Sequence, residues 1–333
     1  MALGLLLLAS CTSTDRAADE TPSGSRRPFQ LEMHGRWIGN AICYGPHRDG
    51  QHPGGPSPSS AQLRQDLDLM LPHWSLLRVY SSEGFASTFL SMIREDELAM
   101  RVMLGVWVAV EERRDEHGAV LETFPEAQQA NQREIEEAIR LAAEYPDIVV
   151  AISVGNETQI FWSAHKSPLD ILIGHVRRVR SRVTVPVTVA DDFNYWNKPE
   201  SRLLADEIDF ITMHAHPMWN GQQLPDAVGW LQDQLQAVQR IHPETDVVIG
   251  ETGWATMVHD EGEQARLIKG KAGEPEQRTY YYDVRHWADQ EGVPVFFFEA
   301  FDENWKGGPH PDEVEKHWGV FRADRSPKAA MLP

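Results

Sequence analysis

Two segments of the chain set a glutamate close behind a glycine at the end of an apolar run: Ser153-Val154-Gly155-Asn156-Glu157 and Val248-Ile249-Gly250-Glu251-Thr252-Gly253-Trp254. Two carboxylates facing one pocket suit the cleavage of a glycosidic bond. One, protonated, donates to the leaving oxygen; the other, ionised, attacks the anomeric carbon. A separation of about 5–5.5 Å permits direct attack with retention of configuration, whereas a wider gap admits water and gives inversion. The two roles need different acidities: burial raises the acid, and donors around the nucleophile keep it ionised. Asn156 is expected to hydrogen-bond the sugar hydroxyl next to the reacting carbon, a bond that strengthens as positive charge develops there. For any single glutamate of this kind the alternative is a structural carboxylate paired with an arginine or a backbone amide. Two of them, each close behind a glycine at the end of an apolar run, favour Glu157 and Glu251 as a catalytic pair.

Elements that must position them are legible from the apolar pattern. Eight short apolar runs read as strands: Ile38 to Tyr44, Leu76 to Tyr80, Met100 to Val110, Ile148 to Val154, Val185 to Ala190, Ile208 to Met213, Val247 to Gly250 and Pro294 to Phe298. Amphipathic helical patterns lie between them, over Gln62–Leu71, Ala130–Tyr145, Leu169–Ser181, Ala227–Ile241 and Glu276–Gln290. Alternation of nearly continuous apolar strands with helices points to a parallel sheet buried on both faces. Eight units favour a closed (β/α)8 TIM barrel, in which catalytic residues sit at the C-terminal ends of strands. The first unit carries no Gly-x-Gly-x-x-Gly, so a dinucleotide fold gains no support. Further polar residues gather at the same kind of position: His214-Ala215-His216-Pro217 after the sixth strand and Glu299-Ala300-Phe301-Asp302-Glu303 after the eighth.

Bulk properties narrow the partners. With 31 basic against 50 acidic residues the net charge is −19, which repels nucleic acid and anionic membrane surfaces and leaves a neutral polymer unaffected. Eleven Trp are available to stack on sugar rings or to fill the core. Only Cys11 and Cys43 occur, so no disulfide framework is expected. The apolar run Ala2 to Ala9 is too short to span a bilayer and ends in Leu8-Ala9-Ser10-Cys11, a lipobox-like sequence, although no Lys or Arg precedes it. Residues 1–10 are expected to be a lipoprotein-type signal, 11–30 a flexible tether and 31–333 the catalytic domain. The chain is then exported and lipid-anchored at Cys11, or secreted, and is expected to work as a monomer.

At the strand-end segments the sequence resembles glycoside hydrolase family 17, the β-1,3-glucanases and their transglycosylase relatives. Val154 to Glu157 resembles the family's acid/base segment and Gly250 to Trp254 its nucleophile segment. Phe298 to Lys306 and Glu315-Lys316-His317-Trp318-Gly319-Val320-Phe321 resemble its last strand and closing loop; Arg78-Val79-Tyr80 matches its second strand. Tyr44-Gly45 with Arg48-Asp49-Gly50-Gln51 resembles the first loop of bacterial members. The likeness covers residues 38–328 in order. It implies retaining hydrolysis of a β-1,3-glucan without cofactor or metal, through Glu157 and Glu251. Glu303, Lys306 and Glu315 match positions near the catalytic pair that orient it, with a surface ion network as the alternative, and a lysine there would favour ionised carboxylates. His216 stands where plant members carry tyrosine, and would donate to the nucleophile or the sugar; a metal pair with His214 is the alternative. Tyr80, Trp219, Trp254 and Trp305 are candidate sugar platforms or packing residues, and Glu299 a substrate ligand or a buried partner of an arginine. Two other functions remain open on this reading: transglycosylation on the same residues, and a surface glycan-binding lipoprotein on an inactive barrel.

Overall fold

A computed structural model describes residues 25–333. The chain first forms an antiparallel hairpin, β1 (Glu32–Met33) with β2 (Arg36–Trp37), and then enters β3 (Asn40–Cys43). Next come α1 (Ser60–Met70), β4 (Leu76–Arg78), α2 (Ala86–Glu95) and β5 (Arg101–Val106). A second hairpin, β6 (Glu112–Arg114) with β7 (Val120–Thr123), precedes α3 (Pro125–Glu144) and β8 (Val149–Asn156). The remaining elements are α4 (Leu169–Arg180), β9 (Val187–Asp192), the short helices α5 (Phe193–Trp196) and α6 (Arg202–Ala205), β10 (Phe210–His214), α7 (Ala227–Ile241), β11 (Val247–Thr252), α8 (Gly262–Leu267), α9 (Glu274–Glu291) and β12 (Val295–Phe297).

Eight parallel strands close on themselves in the order β3-β4-β5-β8-β9-β10-β11-β12, the expected (β/α)8 barrel. Each is one of the eight apolar runs, and β10 and β11 are buried at every residue, as a sheet covered inside and out requires. Helix α3 buries Ile135, Ala138, Ile139, Leu141 and Ala142 along one stripe against the sheet. It starts at Pro125, earlier than the apolar period, because a proline in the first turn is already set for helix and costs no hydrogen bond. Helix α1 starts at a reciprocal cap, in which the Ser59 hydroxyl accepts from the Gln62 N–H and the Gln62 side chain accepts from the Ser59 N–H.

Below the barrel, the N-terminal segment is fastened to the floor rather than hanging free. Arg27 donates from its backbone to Asp209 (2.9 Å) and from its guanidinium to the carbonyls of Val183, Val185 and Arg180. Phe29 stacks on Phe210 with ring centroids 4.7 Å apart. Residues 26–29, assigned to the tether from sequence, are therefore packed against the domain. Residues 1–24 of the expected signal and tether, with Cys11, lie outside the described residues. Among the described residues no helix is long and apolar enough to cross a membrane.

The C-terminal segment is sewn down as firmly. Asp66, fully buried on α1, accepts from Arg325 (Nε and Nη2, 2.8 Å each), Arg48 (2.9 Å) and Tyr44 (3.0 Å). Lys328 closes the same region on Asp302 at 2.8 Å.

Candidate active site

The polar strand ends converge at the C-terminal mouth. Glu157 follows β8 on a backbone that turns sharply: Gly155 has φ +83° and Glu157 itself φ +52°. A β-carbon at Glu157 in this left-handed region is strained, and such strain persists only where surrounding bonds hold it. They do so at this turn, because the Glu157 N–H donates to the Ala190 carbonyl at 2.8 Å. The next turn is pinned by Asp191, whose carboxylate accepts from the backbones of Gln159 (2.7 Å) and Ile160 (3.1 Å). Glu251 sits within β11 and is buried. An oxygen of Glu157 and one of Glu251 lie within 4.8 Å of each other.

Between them runs a buried web centred on Arg78 of β4. Its Nη1 donates to Glu251 Oε1 (3.0 Å) and to the Gly250 carbonyl (2.9 Å), and lies 2.8 Å from His214 Nε2. Its Nη2 donates to Asn156 Oδ1 at 2.6 Å. His214, fully buried at the end of β10, places Nδ1 2.9 Å from Glu157 Oε1. Tyr80 donates its hydroxyl to Glu251 Oε1 at 2.8 Å, and His216 Nε2 stands 3.4 Å from Glu251 Oε2.

These surroundings push the two carboxyls apart. Burial, then the nearby Glu251 and Asp192 charges, raises Glu157 well above the usual carboxylate range. Burial would raise Glu251 too, but the His216 hydrogen bond and the Arg78 guanidinium hold it well below that range. Burial lowers His214 to about 3, so at neutral pH it is uncharged, and the lasting positive charge beside Glu251 is that of Arg78. Burial works against the charged form of His216 as well, yet the Glu251 carboxylate raises its pKa above the ordinary imidazole value.

A second cluster lies beside the first. Lys306 reaches both oxygens of Glu299 (2.7 Å) and Glu303 Oε2 (2.8 Å), all largely buried. Glu303 also accepts from Trp305 Nε1 (3.0 Å) and faces His47 (3.4 Å); burial opposes its ionisation, but Lys306 and these donors hold it down to about 2. Glu315 accepts from Trp219 Nε1 at 3.0 Å, and burial raises it.

Several sequence expectations need correction against this geometry. Trp254 is fully buried, packs on Tyr280 and donates to the Lys271 carbonyl, so it is a packing residue and no sugar platform. Lys306 holds Glu299 and Glu303, not Glu251, whose cation is Arg78. Glu299 is the buried partner of a lysine rather than of an arginine. Asn156 does not face a ligand through its oxygen, which Arg78 occupies; the Nδ2 branch is left to meet one. Tyr80 serves Glu251 through its hydroxyl. Trp305 keeps 41 % of its surface exposed, and its indole is oriented by Glu303.

The pivotal roles of Arg78 and His214 lie beyond what the sequence reading assigns. Each is a polar side chain inside a strand, and only its spatial partners reveal its place. Trp107, Phe161 and Trp162 are likewise absent from the expected sugar platforms; they are 38 %, 72 % and 51 % exposed on the loops after β5 and β8. Glu157, His214 and Glu251 offer ligand atoms spaced as a metal ion would need, but Arg78 Nη1 already bonds or faces two of them as a fixed cation. His214 makes its short contacts to Arg78 and Glu157, with Glu251 Oε1 at 3.5 Å, while His216 faces the other oxygen of Glu251 at 3.4 Å.

Residues 41–319 match the BtgE/BtgC glycoside hydrolase domain family. A glucan 1,3-beta-glucosidase of Arthroderma benhamiae is 29 % identical over 292 residues, covering 84 % of this chain and 86 % of that protein. Among solved structures, an endo-laminarinase from Formosa superposes with a TM-score of 0.74 at 24 % identity, covering 89 % of this chain and 87 % of that one. An active-site mutant of a Rhizomucor miehei beta-1,3-glucanosyltransferase, in complex with laminaritriose, superposes with a TM-score of 0.67 at 22 % identity, covering 88 % and 96 %. At these identities the two structures speak for the shared barrel.

Proposed function

The chain belongs to the BtgE/BtgC glycoside hydrolase domain family, and from that premise we propose that it cleaves β-1,3-glucosidic bonds of laminarin-type glucans by double displacement. The observation that carries the proposal is the opposed pair. Oxygens of Glu157 and Glu251 approach within 4.8 Å, while their surroundings keep the first protonated and the second ionised. That approach falls on the side of direct attack, which needs about 5–5.5 Å between carboxyls, and short of the roughly 6.5–9.5 Å that inversion requires. Glu157 gives its proton to the glycosidic oxygen as the bond to the anomeric carbon breaks, and Glu251 forms a bond to that carbon. Glu157, now a carboxylate, takes a proton from water, whose oxygen displaces Glu251 and restores both groups. Asn156 Nδ2 is assigned to the hydroxyl beside the reacting carbon. Tyr80, His216 and Arg78 hold the nucleophile, and Trp305 and Trp219 are assigned to sugar rings. The hydrolysis of laminarin followed by NMR should release the β-anomer first; the α-anomer appearing first sinks the mechanism.

Transfer to a second sugar on the same residues is favoured by one observation. Trp107 packs against His165 (5.0 Å), which in turn reaches the Asn156 carbonyl (2.7 Å), so aromatic surface lies beside the acid/base. Products longer than the substrate on a thin-layer plate would establish that route. We also propose export with lipid attachment at Cys11, supported by the Leu8-Ala9-Ser10-Cys11 sequence. Radiolabelled palmitate should enter the chain in a bacterial host and fail to enter Cys11→Ser.

A further inference from the structure

We propose that His214 is a positioning residue that determines which oxygen of Glu157 carries the catalytic proton. The inference rests on Glu157 acting as the acid/base and deepens that reading. His214 has both ring nitrogens committed in the buried interior: Nε2 lies 2.8 Å from Arg78 Nη1, and Nδ1 lies 2.9 Å from Glu157 Oε1. Nε2 also stands 3.5 Å from Glu251 Oε1, but the guanidinium is much nearer and has donors only, so at 2.8 Å Nε2 presents its lone pair to Arg78. A neutral imidazole carries one N–H, which is then on Nδ1 and points at Glu157 Oε1. Arg78 cannot swing aside to allow the other tautomer, because Glu251 Oε1, the Gly250 carbonyl and Asn156 Oδ1 hold it at the same time. A cationic ring would set an N–H against the guanidinium.

Oε1 of Glu157 therefore accepts a hydrogen bond, and a protonated carboxyl accepts through its carbonyl oxygen. The acidic proton resides on Oε2. When the glycosidic bond breaks, the Oε2–H bond breaks with it and the leaving oxygen takes the proton. The electron pair of the sugar–oxygen bond moves to that leaving oxygen, and Glu251 bonds to the anomeric carbon. Glu157 is now ionised, and the Nδ1–H bond to Oε1 becomes charge-assisted and stronger. Oε2 thus stays the outward oxygen and is the one that takes the proton of the incoming water. His214 neither gains nor loses a proton in the cycle. Without it the carboxyl is free to rotate about its last torsion, which has a broad, two-fold preference, and the proton is shared between two orientations.

The test compares His214→Gln, whose amide reaches the Nε2 position and leaves the Nδ1 position empty, with His214→Asn, which restores a donor near Nδ1. Each is assayed by kcat/KM on laminaritriose, whose sugar leaving group needs the proton, and on a dinitrophenyl β-glucoside, whose leaving group departs without it. For His214→Gln the loss on laminaritriose should exceed the loss on the aryl glucoside by roughly tenfold or more, within the range of general acid catalysis. For His214→Asn the ratio of the two losses should return to near one. Equal losses on both substrates in His214→Gln, or no difference between the two variants, would overturn the proposal. A second readout needs no variant: the nitrogen resonances of His214 in histidine-labelled protein should report N–H on Nδ1 and a bare Nε2, and the reverse tautomer overturns it. If Glu157→Gln loses no more on laminaritriose than on the aryl glucoside, the acid/base assignment itself has failed, which is a separate result.

Discussion

Replacing Arg78 by methionine removes the permanent cation that touches Glu251 while keeping a side chain of similar length in the buried space. The guanidinium lies 3.0 Å from Glu251 Oε1. At an effective dielectric of about 20, a unit pair at that distance is worth about 5 kcal/mol. A tenfold change in acidity costs about 1.4 kcal/mol, and His216 remains to compensate part of the loss, so Glu251 should become about a hundredfold weaker as an acid. The sign follows from the depressed pKa of Glu251. Its contribution to activity and stability is present at neutral pH and is lost as pH falls through its folded-state value. Raising that value brings the loss closer to neutrality. The acid limb of the pH profile of kcat/KM on laminaritriose should therefore move up by about two pH units. Thermal stability should fall by about 3–5 kcal/mol, because a buried carboxylate and three further acceptors (the Gly250 carbonyl, Asn156 Oδ1 and His214 Nε2) lose their donor. Arg78→Lys, which keeps the charge but not the fork, should move the limb less while still lowering the rate. A uniform fall in rate at every pH, with the acid limb unmoved, would show that Arg78 does not keep Glu251 ionised.

Other perturbations separate the remaining roles. Tyr80→Phe removes one hydroxyl donor to a buried carboxylate and should lower kcat/KM on laminaritriose by about ten- to a hundredfold; an unchanged value would refute the contact. Lys306→Met strands Glu299 and Glu303, so the protein should lose about 3–5 kcal/mol. Because Lys306 holds Glu303 down to about 2, this stabilisation of the wild type is present near neutrality and lost as pH falls, so the stability gap between wild type and variant should narrow on acidification; a gap independent of pH would refute it. Trp254→Ala should cost about 3–5 kcal/mol in a melt, whereas Trp305→Ala should raise KM with little change in stability; the opposite pattern would restore Trp254 as a sugar platform. Arg27→Ala, which empties three carbonyl acceptors at the floor, should lower the melting temperature without altering KM.

Most of the barrel is legible in the chain itself, because a strand buried on both faces must be apolar throughout and its limits show. Helix α7 is found at its expected bounds, Ala227–Ile241. The hairpin β6–β7 leaves no such mark, since Glu-Arg-Arg and Val-Leu-Glu-Thr carry no clear apolar alternation and the strands pair only with each other. Trp107 falls inside the apolar run expected as the third strand, yet that strand ends at Val106. Glu157 and Glu251 are visible through their glycine neighbours and strand-end positions. The polarity of Arg78 and His214 is meaningful only because other strands bring Asn156, Gly250 and Glu251 to them, and no local pattern records that. Trp254 misleads for a related reason: it stands three residues after Glu251, yet its ring packs away from the pair, against Tyr280 of α9.

Arg26, Arg27 and Phe29 fix the first described residues to the underside of the barrel, opposite the opening where the carboxylates stand. A bead, a fusion partner or a lipid layer gripping the protein through that end would meet its sealed base. The cleft would then look away from the support, accessible to polymers too bulky to slip between enzyme and surface.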